Sequence, residues 1–254
     1  MIPGIEFAGI ASGIKNGGLD LGLVFFREPV NVTSIYTRNK VKAAHILYNR
    51  KIDANLMRAL LVNSGCANAC TGKEGISDLT SLGDALSKLI KVRRDEILFS
   101  STGVIGKRLP TDRIRDALPT LVKHLKETNL EDFANAIMTT DTHPKIVYDT
   151  FRGKNQYTIA GVAKGSGMIN PLFATMLAFI FTDYPAPADR TKKIFSTSIK
   201  ESFERITVDG ECSTNDTVML FSKRAKEDSG TYAVFREKLS SVMRELSMMI
   251  VRDG

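Results

Sequence analysis

Short β-rich runs and amphipathic helical stripes alternate along the whole chain, and this alternation constrains its fold more than any other feature. Apolar residues recur at helical spacing after Ser77, after Thr111 and, most clearly, over Tyr232–Val251. Runs rich in β-branched and aromatic residues, such as Val30–Tyr36 and Ile146–Phe151, lie between these stripes. The pattern predicts a mixed α/β or α+β fold in which helices cover a sheet.

The same rules predict further elements. Additional strands are predicted at Leu21–Phe26, Leu60–Asn63, Ile97–Ser100, Tyr157–Val162, Phe173–Phe181 and Val218–Phe221. Shorter helices are predicted at Phe133–Met138 and Phe195–Ile206, whereas Lys40–Arg50 is ambiguous. Thr111 is predicted to cap its helix, and Pro119 leaves the middle of that helix uncertain.

Composition excludes several classes of protein. The longest apolar runs, Leu177–Phe181 and Leu21–Phe26, are far shorter than the roughly 20 residues that span a bilayer. The apolar start Met1–Ile14 contains Glu6 and lacks a basic leader. Three cysteines are too few, and odd in number, for a disulfide framework. We therefore expect a cytoplasmic protein of one large or two modest domains, without a signal peptide or a membrane partner.

The formal net charge of +7 is unevenly distributed. Residues 1–174 carry 23 Lys or Arg against 16 Asp or Glu, whereas residues 175–254 carry 12 of each kind. The basic clusters, Lys91–Arg94 and Lys192–Lys193, are short and have no aromatic residues between them, so no nucleic-acid partner is expected. The positive excess is typical of a solvated surface with a bias toward acidic small molecules.

Familiar nucleotide, metal and hydrolase motifs are missing from the sequence. It has no Walker P-loop, no Gly-x-Gly-x-x-Gly before a helix, no His-Glu-x-x-His and no Gly-x-Ser-x-Gly elbow. The three histidines are spread along the chain, and none is close to Cys66 or Cys70. We therefore expect neither a metal nor a cofactor.

Five clusters rich in Thr, Gly and Asn stand out instead. Each begins or ends at a predicted strand, where functional sites tend to be built. The clusters are Asn63–Gly72, Ser100–Gly106, Met138–Lys145, Lys164–Leu177 and Thr207–Thr217.

The junction between Ala174 and Thr175 is the most suggestive feature of these clusters. A hydroxyl residue follows a small residue just after a Gly-rich segment, at the start of an apolar run. If this peptide bond broke by an N-to-O acyl shift, Thr175 would gain an α-amine that takes the proton of its own hydroxyl. The simpler interpretation is that a β-branched residue suits a strand, and this segment taken alone favours that interpretation.

Taken in order, the five clusters resemble the ornithine acetyltransferase family, which is the glutamate N-acetyltransferase (ArgJ) family of arginine biosynthesis. The resemblance extends from Phe7-Ala-Gly-Ile-Ala-Ser-Gly-Ile-Lys15 to Val251-Arg-Asp-Gly254. It implies an ArgJ/DmpA-like α/β (α+β) sandwich with a self-processing architecture of the N-terminal-nucleophile type. It also implies cleavage into residues 1–174, the α-chain segment, and residues 175–254, the start of the β-chain segment.

The resemblance further implies the chemistry. An acetyl group moves from N2-acetylornithine to Thr175 as an ester and then to L-glutamate, with acetyl-CoA left open as a second donor. Thr175 is thus both the nucleophile and a substrate contact. The family's oxyanion hole maps onto Thr102 and Gly103, and its substrate-binding lysine maps onto Lys164.

Other expectations follow from the same resemblance. One of the tandem residues Thr139 and Thr140 is expected to contact substrate. Asp209, Asn215 and Asp216 are expected to fix loops beside the junction, and we assign them no catalytic role. The two kinds of piece are expected to assemble as a heterotetramer of two α and two β pieces.

The sequence departs from the family pattern in three places. Ser64 and Cys66 lie where relatives usually read Asn-Ala-Gly-Asn-Ala-Asn, and Glu211-Cys212 lies where Asp-Thr is common. We interpret Cys66 as a small buried residue and not as a thiol nucleophile. The family's C-terminal region does not follow Gly254, which indicates a fragment, a second separate chain or a reduced homologue.

Two other functions stay open at the level of sequence. One is a Thr- or Ser-type aminopeptidase of the same fold, which would pass the acyl group to water. The other is a non-catalytic basic binding module.

Overall fold

The computed structural model describes residues 1–53, 55–168, 176–186, 188–211, 213–226 and 228–254. In chain order, the strands and α-helices are β1 (Ile5–Ile10), β2 (Leu21–Tyr36), α1 (Ala44–Asn49), β3 (Met57–Asn63), α2 (Gly72–Ile90), β4 (Ile97–Ser101), α3 (Thr111–Lys123), α4 (Leu130–Ala136), β5 (Lys145–Arg152), β6 (Gln156–Lys164), β7 (Leu177–Thr182), α5 (Ala188–Glu201), β8 (Thr217–Lys223) and α6 (Tyr232–Asp253). Of the helices in these ranges, none is long and apolar enough to cross a membrane.

The chain divides into two compact units. Unit 1 consists of Met1–Pro3, Glu28–Arg38 and Thr140–Gly254, and unit 2 consists of Gly4–Arg27 and Asn39–Thr139. Strand β2 contributes to both units because the division passes between Arg27 and Glu28. This division is not the processing boundary expected between residues 174 and 175, which stays a prediction.

Unit 1 is built on the strands β5, β6, β7, β8 and the second half of β2, in that order. β7 and β8 run parallel, and the other neighbours run antiparallel. A parallel pair needs a crossover connection, and α5 lies in the one that joins β7 to β8. Ile180 and Leu220 from this sheet share a buried apolar core with Phe195 of α5 and Leu239 of α6. The apolar stripe predicted for the last helix is therefore confirmed.

Unit 2 contains β1, the first half of β2, β3 and β4. β1 pairs antiparallel with β2, and β3 pairs parallel with β4. The apolar stripes of α2 and α3, represented by Leu82 and Leu118, share a second core with Phe99 of β4. Helix α4 packs on β1 through the rings of Phe133 and Phe7, whose centroids are 6.1 Å apart.

The predicted strands at Leu21–Phe26 and Val30–Tyr36 are wrong as separate elements, because both belong to the single strand β2. β2 changes its antiparallel partner between these runs, from β1 over Leu21–Phe26 to β8 over Val30–Tyr36. Pro29 lies at this change of partner, where its missing N–H removes no bond from either ladder. The chain therefore stays extended through a residue that usually signals a turn.

The ends of several helices also differ from the predictions. α2 begins at Gly72 and not at Ser77. The prediction missed its first turn because those residues show no apolar periodicity. α3 begins at Thr111, without a side-chain cap, and continues through Pro119. α5 ends before Ile206, which is extended. Strand β1 is an element that the sequence pattern did not predict.

Candidate active site

One edge of the unit 1 sheet collects the ends of neighbouring strands that carry predicted site residues. Lys164, the last residue of β6, pairs with Leu177, the first residue of β7. Leu177 pairs with Thr217, the first residue of β8, and Thr217 pairs with Tyr36, the last residue of β2. Lys145 begins β5 beside the end of β6. This register brings the described parts of three of the five clusters to one edge.

Four charged side chains form a buried cluster at this edge. Lys145 Nζ lies 2.8 Å from Asp141 Oδ1 and 2.5 Å from Asp253 Oδ2. Lys164 Nζ lies 3.8 Å from Asp141 Oδ2, and all four side chains are at most 2% exposed. Burying a charge is unfavourable unless it is paired and hydrogen-bonded. The two acids therefore make it possible to bury two lysines in this unit.

The lysines keep both acids ionised. Burial acts to raise the pKa of Asp141, but Lys164, Lys145 and the Gly165 N–H together hold that pKa below its usual range. The pKa of Asp253 is lowered to about 2, because the bonds from Lys145 and Thr142 outweigh burial. At neutral pH the two acids are carboxylates, and each has a lysine beside it.

The tandem threonines lie close to this cluster in sequence, and one of them contacts the segment after β6. Thr140 Oγ1 is 2.8 Å from Ser166 Oγ, which joins two of the predicted clusters within unit 1. Thr140 is exposed, whereas Thr139 is partly buried and belongs to unit 2. That one of the two contacts substrate stays a prediction.

The acids predicted to fix loops hold both described ends of the junction segment. Asp209 Oδ2 accepts a hydrogen bond from the N–H of Met168. Asp216 Oδ1 accepts one from the N–H of Met176 at 3.0 Å. Ala174, Thr175 and Cys212 lie outside the described residues.

The predicted oxyanion-hole residues lie in unit 2, where two further clusters meet. The N–H of Thr102 donates to the carbonyl of Asn63 at 3.0 Å, and the N–H of Val104 donates to that of Gly65 at 3.3 Å. Gly103 has a φ of +128°, and a Cβ there would lie 2.4 Å from the carbonyl carbon of Gly65. Only glycine avoids both the strain and the clash. The role of the Gly103 N–H in an oxyanion hole stays a prediction.

Ser64 and Cys66, which depart from the family pattern in the first cluster, each donate a hydrogen bond to a carbonyl group that is distant in sequence. Ser64 Oγ donates to the carbonyl of Ala136 at 2.8 Å, and Cys66 Sγ donates to that of Lys107 at 3.3 Å. Cys66 is 4% exposed, and burial raises the pKa of its thiol. The interpretation of Cys66 as a small buried residue is confirmed, since a raised pKa disfavours the reactive thiolate.

Comparison with known proteins decides what kind of protein carries this site. The model of the ArgJ family matches residues 6–254. The chain belongs to the ArgJ family. A curated relative from Geobacter sulfurreducens, the "Arginine biosynthesis bifunctional protein ArgJ", is 42% identical over 262 residues. That match covers 100% of this chain and 67% of the relative, so this ArgJ chain spans about two thirds of the relative's length. The present chain is an acetyltransferase of arginine biosynthesis.

Solved structures agree with the ArgJ assignment and show the fold. An ornithine acetyltransferase from Mycobacterium tuberculosis, complexed with ornithine, is 35% identical with a TM-score of 0.63. The match covers 69% of this chain and 93% of that one. An aminopeptidase from Ochrobactrum anthropi, a variant of the Ntn hydrolase fold, matches 98% of this chain and 84% of its own with a TM-score of 0.55 but only 9% identity. The fold is therefore the predicted mixed α/β sandwich, and the likeness to the aminopeptidase extends to the fold alone.

Sequence reasoning missed three members of the charged cluster in this ArgJ chain. Asp141 and Lys145 lie inside the cluster Met138–Lys145, and Asp253 lies in the final motif, but none was predicted as a site residue. One signal was available, because Lys145 directly precedes a β-rich run and a lysine at the start of a buried strand needs a partner. The partner at Asp253 is 108 residues away, which no local pattern indicates.

Proposed function

We propose that Thr175 is the nucleophile of an acetyl transfer from N2-acetylornithine to L-glutamate, freed by cleavage of the bond between Ala174 and Thr175. The observation that carries this proposal is the ArgJ family match over residues 6–254. A relative solved with ornithine supports ornithine as the leaving product. The junction also lies between two segments whose described ends are held by carboxylates, at Met168 and at Met176.

The proposed reaction has two halves. The Thr175 hydroxyl attacks the acetyl carbonyl of N2-acetylornithine while the α-amine of the same residue takes the hydroxyl proton. The Thr102 hydroxyl and the Gly103 N–H stabilise the oxyanion that forms. The ammonium then protonates the departing amine of ornithine, and an acetyl ester remains on Thr175. The amine of glutamate attacks this ester in the reverse sequence, which yields N-acetylglutamate and restores the enzyme.

Lys164 is proposed to orient the substrate carboxylate. Both acetylated amino acids carry a carboxylate, and a charge-assisted hydrogen bond to an ammonium is stronger than a neutral one. Asp141 lies 3.8 Å from Lys164 Nζ but is shared with Lys145, which it contacts at 2.8 Å. An ammonium has three N–H groups, so it can contact more than one acceptor.

Cleavage is proposed to leave an α piece of residues 1–174 and a β piece that begins with residue 175. We also propose a heterotetramer of two α and two β pieces in the cytoplasm. Acetyl-CoA is proposed as a second donor, since the curated relatives are named bifunctional.

The test supplies the purified full-length protein with N2-acetylornithine that is isotopically labelled in its acetyl group. Without glutamate, we expect the label as an ester on the fragment that begins with Thr175, and glutamate should discharge it as labelled N-acetylglutamate. Labelled acetyl-CoA in a parallel arm tests the second donor. Thr175→Ala should lose transfer by at least about 10³-fold, because removing a nucleophile disables the whole machinery.

A matched control is Thr197→Ala, which removes an exposed threonine of α5. This control should transfer acetyl at the wild-type rate. Wild-type transfer by Thr175→Ala, or label recovered on another residue, would overturn the proposed mechanism.

A further inference from the structure

Asp216 has a fully buried carboxyl group whose hydrogen bonds are incomplete. Its Oδ1 accepts the N–H of Met176, but its Oδ2 has no hydrogen-bond partner among the described residues. A buried polar atom without a partner costs about 1–3 kcal/mol, so native proteins rarely keep one without a reason. The unpaired Oδ2 indicates a partner that this carboxyl meets in another state of the protein.

The surrounding backbone holds this carboxyl firmly at the edge of the sheet. The carbonyl of Asp216 accepts the N–H of Thr37 at 2.9 Å, and the N–H of Thr217 donates to the carbonyl of Met176 at 3.1 Å. Asp216 directly precedes β8, and Met176 directly precedes β7, and these two strands are paired in parallel. The carboxyl group therefore has little freedom to seek a partner elsewhere.

We propose that Asp216 is a positioning residue that holds the α-amino group of Thr175 once that group has been freed. This inference rests on the proposed function. The nitrogen of Met176 forms the peptide bond to Thr175, so Oδ1 fixes the atom that directly follows the nucleophile. Oδ2 is left to accept an N–H of the new amine, which would restrict the rotation of that amine.

In this role Asp216 holds the base but does not act as the base. The amine takes the hydroxyl proton during attack and returns it to the departing amine of ornithine, so Asp216 gains and loses no proton in the cycle. A carboxylate beside an ammonium stabilises the charged form of the amine. Removing the carboxylate should therefore lower the pKa of that amine.

The charge environment of Asp216 supports a paired titration. Burial raises the pKa of Asp216 to about 8, against the opposing effect of the hydrogen bond from the Met176 N–H. The charge of Lys164, at the end of β6, also opposes this rise in pKa, and Asp141 in turn lies beside Lys164. An α-amine ordinarily has a pKa of about 7.7–8.0, so the two groups should titrate together.

The test compares Asp216→Asn with the wild type in the full-length protein. Asparagine keeps an oxygen for the Met176 N–H but replaces Oδ2 with a donor that cannot accept from the amine. We expect kcat to fall about 10²-fold, as small misplacements of catalytic groups do, with KM within about twofold. The acid limb of the kcat profile should move down by about one pH unit.

The matched control is Asp228→Asn, a buried aspartate of the same unit that accepts the N–H of Lys154 at 2.8 Å, just before the opposite end of β6. This control should leave kcat and its acid limb unchanged. If Asp216→Asn fails to fold, Asp216→Glu retains the carboxylate and should keep the wild-type acid limb with a reduced kcat. Wild-type kcat with an unmoved acid limb in a folded Asp216→Asn would overturn the inference. A wild-type protein that neither cleaves nor transfers acetyl would instead overturn the proposed function.

Discussion

The two compact units hold predicted site residues in different ways. Unit 2 presents Thr102 and Gly103 on a loop whose backbone is defined by a positive φ and a close approach to Gly65. Unit 1 presents Lys164 within a cluster of buried charges that includes Asp141 and Lys145. Steric fit therefore requires glycine at position 103 in unit 2, whereas ion pairing makes the burial of charged side chains possible in unit 1.

This difference has a physical consequence for how each region tolerates change. Where there is no room for a Cβ, replacing glycine with any other residue destabilises the region, whatever the charge of the added side chain. Removing one partner of a buried ion pair lowers the stability of the fold, because the other partner is left as an uncompensated charge. Substitutions that change only size or only charge should separate the two regions.

The largest effect is expected in the charged region, from Lys145→Met. Methionine fills a similar volume but leaves Asp253 and Asp141 without their nearest ammonium group. Breaking a buried pair in this way costs about 3–5 kcal/mol. We expect that loss in the free energy of unfolding, measured by denaturant titration at pH 7.

The control is Lys238→Met, which removes a partly exposed pair with Asp149 in the same unit and should cost at most about 1 kcal/mol. The pH dependence sharpens the test. The pKa values of Asp141 and Asp253 are lowered in the folded state, that of Asp253 to about 2, so their stabilising effect is present above the ordinary aspartate pKa of about 3.9 and is lost as the pH falls through the lowered values. The difference between wild type and Lys145→Met should shrink over that range, and equal losses for the two lysines would contradict the account.

A smaller effect is expected in unit 2, from Gly103→Ala. The added Cβ would meet the backbone of Gly65 and Cys66 at 2.4–2.6 Å, and those atoms cannot swing away as a side chain can. We expect a loss of about 2–4 kcal/mol in unfolding free energy and of roughly 10²–10³ in acetyl transfer.

Gly106→Ala is the matched control for this substitution. It also has a positive φ, +81°, but has nothing within 4 Å of the added carbon. It should cost only about 1–2 kcal/mol and leave transfer near the wild-type rate. If both alanines behaved alike, the close approach to Gly65 would not be what requires glycine at 103.

What could be predicted from sequence depends on how far apart the interacting residues lie in the chain. The amphipathic stripe of α6 depends on residues near each other in the chain, so a local pattern indicates it. Strand β2 was predicted as two strands because a proline such as Pro29 usually interrupts a strand. The change of partner along β2 depends on its pairing with other strands, which no local pattern indicates. The pairing of Lys145 with Asp253 likewise depends on the fold, since 108 residues separate them.

The central claim is that Thr175 becomes an N-terminal nucleophile, and the intact mass of the purified full-length protein tests it most directly. The account predicts two fragments for the wild type, one ending at Ala174 and the other beginning with Thr175, and a single uncut chain for Thr175→Ala. A wild-type protein that transfers acetyl while remaining one chain would contradict it, as would a Thr175→Ala chain cut at the same bond.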